Sequence, residues 1–216
     1  MFLEDADMTC LRQGDILGGI FFPRLDQGEV AILGKVSSGG LQSSVPTLDA
    51  VTSVHRDDPS WLTAQIPVRR SFCSVISHCC DLEPRNGRIS MPAFSVARLI
   101  PLPKGILADS QRFASLRANK DPRDSRDPGY INFFYIPSHR RLDQKEWVVD
   151  YNQTMSIPGS AFPAILRSKI LQMENEWRVK FKIKLATNLA RLTEEERAAG
   201  LENPWIAKQE PMEFPK

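Results

Sequence analysis

Histidine is scarce, with three residues among 216, and so is any excess of one charge, since 28 Lys and Arg stand against 26 Asp and Glu. A net charge of +2 is too mild for a domain that grips nucleic acid through a broad basic surface, although it leaves room for local patches. No apolar run approaches the length that spans a bilayer. The start, Met1-Phe2-Leu3-Glu4-Asp5-Ala6-Asp7, is acidic where a secretory signal is basic. These absences lead us to expect a cytoplasmic protein with no membrane partner. Four cysteines, Cys10, Cys73, Cys79 and Cys80, fall short of the density of a secreted disulfide scaffold. Adjacent Cys79 and Cys80 point to opposite sides of an extended chain and do not bond readily to each other. No internal repeat or low-complexity tract is present.

What is present is enough apolar sequence, 42% of residues, for one good core with an appendage. Gly14-Asp15 turns the chain into an apolar strand ended by Pro23, and 29–36 reads as a second strand. Ser, Gly, Thr and Asp then take over, so 37–69 is expected to be a mobile loop, with a short strand entering it at 61–68. The central strand is 72–77. The turn signal Pro84-Arg85-Asn86-Gly87 returns the chain as a strand over 89–99, with Cys79-Cys80-Asp81 near the hairpin tip. Met91-Pro92 marks that return strand as an edge strand or one with a bulge. A short helix is predicted over 109–118, a charged loop over 117–129, and strands over 130–137 and 146–157.

The segment Trp177-Arg178-Val179-Lys180-Phe181-Lys182-Ile183-Lys184-Leu185 alternates like a strand. The wider spacing of Leu166, Ile170, Met173, Trp177, Phe181 and Leu185 favours a helix over about 164–191, with an interruption near 174–176. The expected fold is mainly β with an α appendage: a small antiparallel barrel over 1–158, then a C-terminal helix and loose tail over 159–216.

Chemistry concentrates in Ser77-His78-Cys79-Cys80-Asp81, where a buried strand leaves the core. Three readings stay open. Thiolate and imidazole are zinc ligands, but consecutive residues cannot all face one ion, and no metal or other cofactor is assigned. Cys80 could act as a nucleophile with an imidazole from His78, His55 or His139 to take its proton, although the neighbouring Asp81 opposes a thiolate. The third reading is structural: Cys73 fills the core, while Ser77 and Asp81 satisfy backbone donors at the turn. Arg69, Arg70, Arg85, Arg88 and Arg98 surround the same hairpin in sequence and suit phosphate recognition, or else form a solvated rim. Arg178, Lys180, Lys182 and Lys184 read as one exposed side of the C-terminal element.

The order Gly14-Asp15-Ile16, a long loop, then Val75-Ile76-Ser77-His78 resembles the PemK/MazF family of toxin endoribonucleases, small SH3-like barrels that cleave RNA without metal. The resemblance implies a role for Arg70 at the phosphorus and for Ser95 or Asp15 at the attacking hydroxyl, within a toxin or defence system. No proline follows Arg70, and Ser95 is out of register with the family's hydroxyl. The pairing of Gln13-Gly14-Asp15 with Ser77-His78-Cys79-Cys80-Asp81-Leu82, together with Trp177-Arg178, also resembles a group of bacterial proteins of no established activity. The resulting expectation is a barrel that engages RNA or another phosphate-bearing partner. Ser77, Cys80, Asp81 and His78 lie at its rim. The competing expectation is a non-catalytic module that binds a protein partner or a second copy of itself.

Overall fold

The computed structural model describes residues 1–23, 31–35, 41–44, 63–65, 68–84, 89–120 and 130–190. The strands are β1 (Ile16–Pro23), β2 (Ala31–Lys35), β3 (Leu41–Ser44), β4 (Thr63–Gln65), β5 (Val68–Val75), β6 (Ala93–Pro101), β7 (Phe133–Ile136), β8 (Trp147–Pro158) and β9 (Lys169–Leu171). The α-helices among these residues are α1 (Lys104–Leu107), α2 (Ser110–Arg117), α3 (Phe162–Leu166) and α4 (Asn175–Leu189). The chain divides into two compact units, Met1–Ile20 with Phe72–Lys216, and Phe21–Ser71. In the smaller unit β2 pairs antiparallel with β3 and with β4, so the expected 37–69 loop contains strands of its own. The larger unit is built on a mainly antiparallel sheet ordered β7-β8-β6-β5-β1-β9, curled into a half-barrel.

Runs without polar alternation explain why both faces of this sheet are covered. On β7 and β8, Phe134, Ile136, Trp147, Val149 and Tyr151 join one core with Ile16, Leu99, Leu171 and, from α4, Phe181 and Leu185. The intervening Tyr135 and Val148 turn the other way and pack with Leu102, which follows β6, and with Ile106 of α1 and Leu116 of α2. Both clusters depend on register: Phe134 pairs with Val149 and Tyr135 with Val148.

The return strand of the hairpin is interior. β6 lies between β5 and β8, and the register shifts between Ala97 and Arg98. Pro92 falls just before the strand, so its missing N–H costs no ladder bond. The Pro92 carbonyl accepts the amide of Gly159, where a Cβ would stand 2.1 Å from the Met91 oxygen, so only glycine fits.

A single helix over 164–191 is not what forms. The stretch breaks into α3, β9 and α4, because Lys169–Leu171 closes the sheet edge against β1, with Ile16 opposite Leu171 and Leu17 opposite Lys169. Phe2 and Met173 form a further antiparallel bridge beyond it. Tertiary pairing overrides the helical spacing of Ile170 and Met173. Within 177–185 the helical period wins: Phe181 and Leu185 are buried while Val179, in phase with a strand, is 53% exposed. The expected tail and the 121–129 part of the charged loop lie outside the described residues.

Lys184 corrects the view of the α4 cations as one exposed side, since it is 3% exposed. Burial lowers its pKa from the ordinary 10.5 to about 8. Between those values the unfolded chain binds more protons than the folded one, so stability rises with pH across that window. Lys184→Met should therefore raise the melting temperature at neutral pH, by less as the pH approaches 10.5. A gain that does not change with pH would contradict this assignment.

Candidate functional site

Beyond the Phe2–Met173 bridge, a buried cation ties the N-terminal segment to the sheet. Lys169 Nζ lies 2.7 Å from Asp15 Oδ2 with both side chains fully buried, and it donates to the carbonyls of Asp7 at 2.6 Å and Cys10 at 3.1 Å. Gln172 Oε1 completes its shell at 3.3 Å while accepting the Asp7 amide. A buried ammonium needs such partners, because desolvation of a charge otherwise outweighs its attractions. Asp15 Oδ2 also accepts the amide of Arg12, while Oδ1 meets no donor among the described residues. Burial pushes the Asp15 carboxyl above its ordinary range, opposed by Lys169 and, more weakly, by Arg178.

This anchoring aims the neighbouring residues of the Gln13-Gly14-Asp15 turn. Gly14 has φ +92°, a conformation that L side chains rarely adopt, and its amide bonds the Val75 carbonyl at the end of β5. Gln13 Nε2 donates to the Ile76 carbonyl at 2.6 Å, and the Gln13 amide donates to Cys79 Sγ at 3.2 Å. The turn therefore grips the start of the Ser77–Leu82 segment, whose Cys79–Leu82 part is a 3-10 turn.

Between the anchored segment, that turn and α4 lies a cleft of about 310 Å³ lined by Cys10, Leu11, Arg12, Cys79, Glu83, Arg178 and Lys182. Three cations face one carboxylate. Arg12 approaches Asp7 at 3.3 Å and donates to Cys10 Sγ at 3.4 Å. Asp7 is held well below the usual carboxylate range by the hydroxyl and amide of Thr9 and by the Cys10 thiol. Arg178 donates through Nη2 to Asn175, but its buried Nη1 meets no acceptor among the described residues.

The expected site residues are distributed differently. Asp15 is sealed beneath Lys169. Ser77 and Ser95 meet, with Ser77 Oγ accepting the Ser95 amide at 2.7 Å, so the hydroxyl of Ser77 joins β6 to the loop after β5. His78 is exposed and makes no side-chain cap to the 3-10 turn. Cys80 and Asp81 belong to that turn. Cys73 is core, its thiol pushed far up by burial. Arg98 donates to Gln153 at 2.9 Å within the sheet. Arg69 and Arg70 are exposed on β5 in the smaller unit, and Arg85, Arg88 and His55 lie outside the described residues.

His139 belongs to a different hollow, of about 420 Å³, with Glu4, Asp5, Arg140 and Arg141. There it meets the Phe2 ring edge-on, and burial, with the two arginines, lowers its pKa. Among the described residues no three His, Cys, Asp or Glu side chains are grouped to hold a metal ion, and no helix is long and apolar enough to cross a membrane. The cations that do converge, Arg12, Arg178 and Lys182, were missed as a group, although the recurring basic residues of 178–184 signalled two of them.

Comparison with known proteins yields no match to a family model, a curated protein or a solved structure.

The geometry makes Lys169 a side chain whose loss is costly. Lys169→Met strands the Asp15 carboxylate and two carbonyls, and should cost about 3–5 kcal/mol. Asp15→Leu combined with Lys169→Met should recover part of that loss, since the buried charge is then gone. Urea unfolding of the three proteins measures both effects. A single-variant loss under about 1 kcal/mol, the scale of an exposed pair, would contradict the burial described.

Proposed function

We propose that the chain recognises a phosphate-bearing ligand, RNA foremost, in the cleft between the N-terminal segment and α4. The observation that carries this reading is the convergence of Arg12, Arg178 and Lys182 in the walls of one cleft, against the single carboxylate of Glu83. Like-charged groups held together are costly unless an anion joins them, and a phosphate oxygen is the acceptor a guanidinium matches best. The net charge of +2 is no obstacle, because the cations are local. The half-barrel is compatible with kinship to the SH3-like PemK/MazF barrels, and a toxin or defence setting belongs to that same reading.

The cleavage chemistry of that family has less support here. Proton transfer requires a group within hydrogen-bond reach of substrate, and Asp15 is fully buried on Lys169. Recognition without cleavage is therefore the form we favour. A second reading, a protein-binding module, is favoured by the outward apolar residues of α4, Val179 at 53% and Leu189 at 74% exposure.

A labelled single-stranded RNA titrated between about 50 and about 200 mM salt tests the first reading, because each phosphate contact on a single strand contributes about 0.7 unit of log–log salt slope. Lys182→Gln and Arg178→Gln should each weaken binding about tenfold and flatten the slope by about 0.7 unit. Binding that ignores both salt and these substitutions would refute the proposal. Loss of a protein partner on Leu189→Glu, with RNA binding absent throughout, would favour the second.

A further inference from the structure

The same cleft contains two sulfurs. Cys10 and Cys79 both line it, both are partly exposed and neither is in a disulfide. Each faces an N–H donor, Arg12 Nε for Cys10 and the Gln13 amide for Cys79, so negative charge developing on either sulfur meets a hydrogen bond. The two differ in their own protons. Cys10 Sγ donates to Asp7 Oδ2 at 3.2 Å, whereas the Cys79 sulfur is an acceptor in its described contact.

We infer that Cys10 and Cys79 form a dithiol modification site that takes up an anionic low-molecular-weight disulfide, steered by Arg12, Arg178 and Lys182. Cys79, whose proton is not engaged by a carboxylate, attacks first. Its sulfur bonds to one sulfur of the incoming disulfide, the original S–S bond breaks, and the departing thiolate takes the proton that Cys79 gives up. This first step exchanges one disulfide for another and leaves the number of S–S bonds unchanged. Cys10 can then attack the Cys79 sulfur, the mixed S–S bond breaks and the second small thiolate leaves with the Cys10 proton, so that the completed Cys10–Cys79 bridge is a two-electron oxidation of the dithiol matched by reduction of the small disulfide to two thiols. Either product occupies the cleft and blocks a phosphate-bearing ligand, which is the one part that rests on the function proposed above.

Cys73 provides an internal control, since it is fully buried and its thiol is pushed far up. The full chain is incubated with oxidised glutathione, which is anionic, and in parallel with cystamine, which is cationic. Products are followed by intact mass and peptide mapping, and each rate is normalised to that of the urea-unfolded chain. We expect either a glutathionyl adduct on Cys79 or a Cys10–Cys79 bridge. The normalised rate should be about tenfold higher for glutathione disulfide than for cystamine at low salt, and Lys182→Gln should reduce that preference. Cys79→Ser should abolish the reaction, whereas Cys10→Ser should retain the adduct on Cys79.

Modification confined to Cys10 or Cys80, a normalised rate no higher for the anion, or no reaction on the folded chain would overturn the inference. The RNA titration is read independently, so failure of the thiol chemistry leaves the phosphate reading standing, and the reverse also holds.

Discussion

The larger unit depends on one buried ammonium. Lys169 is placed by β9 at the sheet edge, yet the groups it holds come from the other end of the chain: the Asp15 carboxylate and the carbonyls of Asp7 and Cys10. A fully desolvated charge persists only where several acceptors converge on it. The path of residues 7–15 is thereby constrained. Arg12 and Gln13 sit within that constrained stretch, which is why one of them faces the cleft and the other grips Cys79.

From this constraint the cleft follows by geometry. The Gln13-Gly14-Asp15 turn fastens the loop after β5, the loop presents Cys79, and α4, packed through Phe181 and Leu185 on the sheet, presents Arg178 and Lys182. Three segments far apart in sequence therefore bring their polar groups to one concavity. The packing that orders α4 is apolar and non-directional, whereas the turn is held by directional hydrogen bonds. The cleft thus has one wall set by shape and one set by hydrogen bonding.

Much of the sheet was legible in the sequence, because strands buried on both faces appear as unbroken apolar runs, as in Phe133-Phe134-Tyr135-Ile136. The hairpin of β5 and β6 and the helix beginning at Ser110 were legible from turn and cap chemistry. Lys169-Ile170-Leu171 was not legible as a strand. A three-residue edge strand has no period of its own, and its role is set by pairing with β1, a contact across more than 150 residues. Of the candidate site, the motifs Gln13-Gly14-Asp15 and Ser77–Leu82 were singled out and do meet. The burial of Asp15 was not legible, since an acidic residue beside a glycine carries no signal of it. The convergence of Arg12 with Arg178 and Lys182 is a property of the fold alone.

In the phosphate reading proposed above, Arg178 rather than the exposed arginines of β5 would meet the ligand. Side-chain guanidinium resonances of isotope-labelled protein, followed as a short single-stranded RNA is added, test it most directly. The account predicts that the Arg178 and Arg12 signals shift and slow their rotation while those of Arg69 and Arg70 stay in place. Shifts at Arg69 and Arg70 with Arg178 unmoved would contradict it.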